Sequence, residues 1–313
     1  MDILTLAKAA EPHIIDLRRD LHRHPELSWQ EVRTTEAVAA ELAALGIPTR
    51  RFEGRTGVLG TLKGKAGAGG KTLLLRADID ALPIQENTGL PFASENASVM
   101  HACGHDTHTA MLLGAARVLR GLADQFAGEV RFLFQPAEEL SSGADYCIDQ
   151  QVLSGVDAAF GVHIWGDFDA PYLSIQDGSR MASCDNFTLT VRGMAAHGSA
   201  PQQGVDAVVA AAAIIMQLQT VVSRMSDPRV PLVVTIGRIQ GGQRFNIIAD
   251  TVEMVGTVRT HDKALRKQVE GLIRRVCEHT AAAYGATAEL AYEYLAAPVI
   301  NDPALAGLAR AAA

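Results

Sequence analysis

Apolar positions recur at helical spacing from the start of the chain. Ile3, Leu6, Ala7, Ala10, Ile14, Leu17 and Leu21 share one face and predict a helix over residues 2–23, ended at His22-Arg23-His24-Pro25-Glu26. A second helix is predicted over residues 30–45, closed by Gly46. The pattern then turns strand-like at Val58-Leu59-Gly60-Thr61-Leu62 and again at Thr72-Leu73-Leu74-Leu75-Arg76-Ala77, with a glycine-rich turn over residues 64–70 between them. An apolar run from Ala110 to Ala116 reads as a helix. Residues 128–134 and 158–166 read as two more strands, the second carrying His163 near its end.

The pattern changes from about residue 183. Residues 186–192 alternate, 204–224 form a long alanine-rich helix, and 230–240 and 251–260 are strands joined through Gly241-Gly242-Gln243-Arg244. Residues 262–284 are helical and 286–295 strand-like. This βαββαβ order describes a ferredoxin-like domain following a larger α/β unit. A length of 313 residues agrees with two domains.

Composition narrows the function classes. With 48% apolar and 20% charged residues the chain is an ordinary globular one, and a net charge of -7 argues against a general nucleic-acid binder. The start lacks a basic segment leading into an apolar one, and the longest apolar run, residues 205–216, is too short to span a bilayer. A cytoplasmic protein without a membrane partner is therefore expected. The four cysteines, at 103, 147, 184 and 277, are scattered and form no CxxC, which argues against a disulfide framework or a ribbon-type zinc site.

The densest chemistry lies at residues 100–110, where Cys103, His101, His105, His108 and Asp106 precede an apolar helix. Thiol and imidazole donors at a helix entrance suit a transition metal; the plainer alternative is a polar loop with Asp106 or Thr107 capping the helix. Other candidates sit at strand ends, where open α/β sheets bind ligands. Asp78 and Asp80 would point the same way and support a cation, or else form a turn before Pro83. Glu138 and Glu139 repel one another unless a metal binds one and leaves its neighbour as a base; a solvated pair at a helix start is the alternative. His22 and His24 are either ligands or local hydrogen-bonding groups at a helix end. In the second domain His197, among small residues, is placed for contact. Asn246 is either a hydrogen-bonding group or an ordinary turn residue.

Taken together, His22-Arg23-His24-Pro25-Glu26, Arg76-Ala77-Asp78-Ile79-Asp80-Ala81-Leu82-Pro83, Met100-His101-Ala102-Cys103-Gly104-His105-Asp106, Phe134-Gln135-Pro136-Ala137-Glu138-Glu139 and Gly161-Val162-His163 resemble the amidohydrolase branch of the M20 metallopeptidase family. Hippurate hydrolases, N-acyl-L-amino acid amidohydrolases and indole-acetyl-amino acid hydrolases belong to it. The resemblance implies an exopeptidase-like catalytic domain, a mixed sheet with helices on both faces, over residues 1–182. It implies an inserted βαββαβ lid and dimerisation domain over 183–297, and a returning catalytic segment from 298 to 313. It further implies two divalent ions, zinc or manganese with cobalt or nickel as further options, held by Cys103, His105, Glu139 and His163. Glu138 is then the catalytic base and Asp80 and Asp106 back the ligands. Asp78 stands where the peptidase branches carry a metal-binding histidine, an absence the cysteine makes good.

His197 is implied to reach a neighbouring active site in a homodimer and hold the substrate carbonyl, and Asn246 to hold the substrate carboxylate. The implied reaction is hydrolysis of an N-acyl amino acid to a carboxylate and a free amino acid. A dipeptidase or dedicated deacylase of the same family, or a catalytically impaired relative, is the alternative. One departure stands out: the family's catalytic domain continues past the lid and supplies a further histidine ligand, in a segment not found before the chain ends at Ala311-Ala312-Ala313. Truncation is expected, since a sheet cut mid-domain would leave apolar faces uncovered.

Overall fold

A computed structural model describes residues 2–313. The chain divides into two compact units, Met1–Tyr172 and Leu173–Ala313.

The first unit runs α1 (Ile3–Arg23), α2 (Val32–Ala44), β1 (Thr49–Arg51), β2 (Val58–Lys63), β3 (Thr72–Asp78), α3 (His105–Gly121), β4 (Glu129–Gln135), α4 (Gly143–Asp149) and β5 (Ala158–Gly161). Its five strands form a mixed sheet in the order β1-β2-β4-β3-β5, with β3 parallel to both β4 and β5 and β2 antiparallel to β4. The period-two alternation of each strand decides which helices cover which face. Val58 and Leu62 of β2 and Val130, Phe132 and Phe134 of β4 pack with Val38 and Leu42 of α2 and Leu112, Leu113 and Ala116 of α3. The intervening Leu59, Leu74 and Leu133 face the other way, onto Cys147 of α4, Val152 and Phe52. Helices thus lie on both faces, and the three parallel strands end at one edge, where β3, β4 and β5 hand on to Asp80, Glu138–Glu139 and His163.

The second unit adds β6 (Gly178–Met181), β7 (Cys184–Arg192), α5 (Ala207–Arg224), β8 (Leu232–Gly241), β9 (Thr251–Thr260), α6 (Lys263–Ala283), β10 (Thr287–Ala296), β11 (Val299–Asn301) and α7 (Pro303–Ala312). Its antiparallel sheet, ordered β10-β7-β9-β8, with α5 and α6, has the βαββαβ connectivity. Phe187, Leu189 and Val191 of β7 and Val252, Met254 and Val258 of β9 meet Ile214 and Leu218 of α5 and Val269 and Ile273 of α6 in one core. The helices start where aspartates cap them: Asp206, Asp262 and Asp302 each accept two first-turn N–H groups of α5, α6 and α7.

The division falls ahead of the boundary expected at residue 182 because β6 pairs with β11, which draws both the 173–182 segment and residues 298–313 into the second unit. The apolar run judged too short to span a bilayer belongs to a longer helix. By length and composition α5, 18 residues at a mean hydropathy of 1.5, is apolar enough to cross a membrane. Here Ala207, Ala210, Ala211, Ile214, Leu218 and Val221 along one side of it pack into the sheet core.

Candidate metal centre

Three short segments bring the candidate ligands together at the carboxyl ends of the parallel strands. Cys103 ends the loop before α3, and Gly104 turns the chain into the helix with φ +84, a left-handed conformation that glycine adopts without strain. His105, the first helical residue, is fully buried. After β4 the chain turns sharply at Ala137, φ +48, to present Glu138 and Glu139. That turn is pinned from both sides: the Ala137 N–H donates to the buried Glu31 carboxylate at 2.8 Å, and its carbonyl accepts from the Gly143 N–H at 3.1 Å. Gly143 leaves no room for a side chain, since a Cβ there would sit 1.6 Å from the Pro136 carbonyl oxygen. His163 lies two residues past the end of β5, on an exposed segment rather than inside the strand.

His105 is the hub. Donor atoms of Cys103, His105 and His163 lie within 4.8 Å of one another, and so do those of His105, Glu138 and Glu139, and of Asp78, His105 and His108. His105 Nδ1 faces the Asp80 carbonyl oxygen at 2.9 Å and the Asp80 carboxylate at 3.2 Å. Both are acceptors, so Nδ1 donates to Asp80 and Nε2 is the nitrogen left to face the cluster. Nε2 and Glu139 Oε1 are both buried without a hydrogen-bond partner and stand 3.7 Å apart. Two inward-facing orphans beside a thiol and a second imidazole fit a divalent transition metal.

Electrostatics agree with that fit. Burial pulls the His105 pKa down, but the hydrogen bond to Asp80, the neighbouring Cys103 sulfur and the charge of Asp78 outweigh it and push it up to about 11, so that without an ion the ring favours the charged form. The cluster is negative enough to hold a positive charge at its centre. The neighbouring His105 and the hydrogen bond to His163 bring the Cys103 thiol down, and the bond to Cys103, at 3.4 Å, raises His163. Burial first and the charge of Asp78 second raise the Glu138 carboxyl.

Asp80 stands directly behind the candidate ligands, taking hydrogen bonds from Ser28 Oγ at 2.7 Å and the Glu139 N–H at 3.1 Å besides its contact with His105. Asp106 follows His105 in the chain, yet its carboxylate turns away, to His22 Nδ1 at 2.7 Å and Arg18 Nε at 2.8 Å. His22 Nε2 lies 3.3 Å from Glu86, so His22 bridges two carboxylates and holds α1 against the start of α3; it is no ligand. His24 bonds to the Asp20 carbonyl of its own helix end at 2.8 Å.

The hydrogen bond to Asp106 raises the His22 pKa against the opposing effects of burial and Arg18, and the His101 ring lies beside it, 6.4 Å away between centroids. A raised histidine pKa gives stability that is complete below the ordinary value of about 6.5 and is lost as pH climbs through the folded-state value. Denaturation midpoints of the wild type should therefore fall on going from pH 6 to pH 9. His22→Gln should be less stable at pH 6 and show a flatter profile; parallel profiles would rule out this linkage.

In the second unit His197 and Asn246 lie on adjoining loops: the Gly198 N–H donates to the Asn246 carbonyl at 2.8 Å, and His197 bridges to Ile247. His197 Nδ1 accepts from the Ser199 N–H at 3.2 Å and pairs with Ser199 Oγ at 2.7 Å, which leaves the proton on Nε2. Asn246 Oδ1 is buried without a partner.

Sequence reasoning passed over Ser28, Glu31 and the partners of His108. Ser28 and Glu31 lie in a short link between helices where no periodicity or motif marks them, and Glu31 reads as an ordinary residue at a helix start. Its carboxylate makes no cap bond and turns instead to Ala137 and Thr56.

A model of peptidase family M20/M25/M40 matches residues 74–313. The chain belongs to this family. It is 42% identical over 320 residues to the N-acetyl-L-cysteine deacetylase of Bacillus subtilis (strain 168), covering 100% of this chain and 76% of that protein. It is 40% identical over 301 residues to the N-acyl-L-amino acid amidohydrolase of Geobacillus stearothermophilus, covering 96% of this chain and 81% of that protein. The crystal structure of the Bacillus subtilis YXEP protein, described as a dinuclear metal binding peptidase from the M20 family, superposes with a TM-score of 0.85. It shares 41% identity, over 97% of this chain and 80% of that one. These relatives place the chain in the amidohydrolase branch of the family.

Proposed function

We propose that this protein is a divalent-metal-dependent amidohydrolase that cleaves N-acyl amino acids to a carboxylate and a free amino acid. The observation that carries the reading is the meeting of Cys103, His105, Glu139 and His163 at the strand ends with a second carboxyl, Glu138, beside them. Those four residues would hold two divalent ions, zinc or manganese with cobalt or nickel as further options. Such ions, when bound, supply Lewis acidity that lowers the pKa of a water and polarises a carbonyl oxygen.

Glu138 is the proton carrier. It takes the proton from the attacking water and passes it to the leaving nitrogen, without which the amine leaves poorly. His197, with its proton on Nε2, is a donor for the oxygen that gains charge as the carbonyl becomes tetrahedral. Asn246 is assigned a part in holding the substrate carboxylate, and its buried, unpartnered Oδ1 supports a polar partner there. The named activities of the relatives from Bacillus subtilis and Geobacillus stearothermophilus support N-acetyl and other N-acyl amino acids as the substrate class. A side-by-side assay of N-acetyl amino acids, hippurate and dipeptides on protein of measured metal content tests the reading. Metal-loaded protein that hydrolyses none of them would end it.

The working form is proposed to be a homodimer joined through the βαββαβ unit. In support, β8 is an edge strand of its sheet, and Val233 and Ile239 on it and Met216 on α5 are exposed. In that dimer His197 serves the active site of the other copy. Mixing separately inactive Glu138→Gln and His197→Ala proteins under subunit exchange should then restore turnover, because one mixed dimer site regains both groups. Mixtures as inactive as their components would refute the sharing.

A further inference from the structure

His163 sits on an exposed segment, yet a ligand must be held still to be useful, and the residue that follows it shows how this is done. Ile164 is fixed twice. Its N–H donates to His108 Nε2 at 2.9 Å, and its side chain lies over Gly104, where an added Cβ would come within 2.2 Å of Ile164 Cδ1. His108 is buried, and its other nitrogen donates to Asp78 Oδ1 at 2.6 Å. The second Asp78 oxygen accepts from Arg76 Nη1 at 2.7 Å.

Since Nε2 of His108 accepts an N–H, it carries no proton, and the single ring proton is on Nδ1, facing Asp78. One neutral tautomer satisfies both ends. Asp78 and His108 do stand near enough to His105 to share an ion, but both nitrogens of His108 and both oxygens of Asp78 already have partners.

We propose that His108 is a positioning residue: by gripping the Ile164 N–H it keeps His163 Nε2 beside Cys103, at the 3.4 Å seen here. The series Arg76, Asp78, His108, Ile164 thus connects strand β3 and the first turn of α3 to the segment that carries His163. This rests on the metal-dependent reading of the site, which the same experiment examines separately.

Two near-isosteric changes separate the two ends of the imidazole. His108→Gln can place an amide oxygen where Nε2 was and still accept from Ile164, while His108→Asn can donate to Asp78 but is too short to reach Ile164. Metal-free full-length protein is titrated with cobalt(II), following the visible absorption that thiolate and imidazole ligands give the ion, with no substrate present. His108→Asn should bind cobalt about tenfold or more weakly, with altered band positions, and His108→Gln should stay near the wild type. Ile164→Pro, which removes both the N–H and the side chain over Gly104 and leaves His108 and Asp78 intact, should weaken cobalt binding at least as much as His108→Asn, even if His108→Asn does not fold.

Equal losses in the Gln and Asn proteins would mean that the Asp78 contact or direct ligation matters, and would overturn the proposal. So would wild-type binding by either His108→Asn or Ile164→Pro. Wild-type protein that takes up no cobalt would bring down the metal-centre reading itself, an outcome distinct from failure in the variants alone.

Discussion

Glu138→Gln should lower turnover by roughly 100- to 10,000-fold, the range that a positioned proton carrier contributes, while metal content stays at the wild-type level. The amide has the volume and shape of the carboxyl but cannot collect a proton from water and release it to nitrogen. Glu138 shares its neighbourhood with His105 and Glu139, so the contrast with its neighbour is the informative one. Glu139 offers the buried unpartnered oxygen facing His105 Nε2, and Glu139→Gln should weaken metal uptake. Metal analysis and steady-state kinetics on the two proteins separate the roles. Glu138→Gln losing metal along with activity would make Glu138 a ligand and leave the reaction without its base.

Asp80→Ala should weaken metal binding by about 10- to 100-fold, although Asp80 is no ligand in this reading. Its carboxylate contacts His105 Nδ1 at 3.2 Å, accepts the Glu139 N–H at 3.1 Å and is held by Ser28 Oγ at 2.7 Å. One buried acid therefore aligns candidate ligands from two different segments. The backbone carbonyl of residue 80 still meets His105 in the variant, at 2.9 Å in the wild type, which is why a partial loss is expected. Competition with a chromophoric chelator measures it. Unchanged affinity in a folded Asp80→Ala protein would show that the ligands need no such support.

The periodicity of the chain already contained most of the architecture. The helices around Leu17, Leu112 and Ile214 and the strands around Leu74, Phe132, Leu189 and Met254 follow from spacing that places apolar side chains on one face. Short elements escaped that logic. Residues Thr49–Arg51, Gly178–Met181 and Val299–Asn301 form strands of three or four residues, too brief for a pattern, and exist because a partner strand satisfies their backbone.

Chemistry divides along similar lines. Donor-rich stretches such as Cys103-Gly104-His105 and Glu138-Glu139 are visible in sequence because thiol, imidazole and paired carboxylates are conspicuous and follow strand ends. The partners those residues choose are not. Adjacent His105 and Asp106 differ completely: the first faces Asp80 and the ligand cluster, and the second faces His22 and Arg18, because successive helical residues point about 100° apart. Sequence alone determined which side chains were able to bind a metal and which strands would deliver them. Only the tertiary structure decided that Glu31 shapes the Glu138 turn, that Asp80 and not Asp106 lies against the candidate ligands His105 and Glu139, and that His108 bonds to the segment of His163. Hydrogen bonds join atoms by distance and direction in space, and separation along the chain carries no record of either.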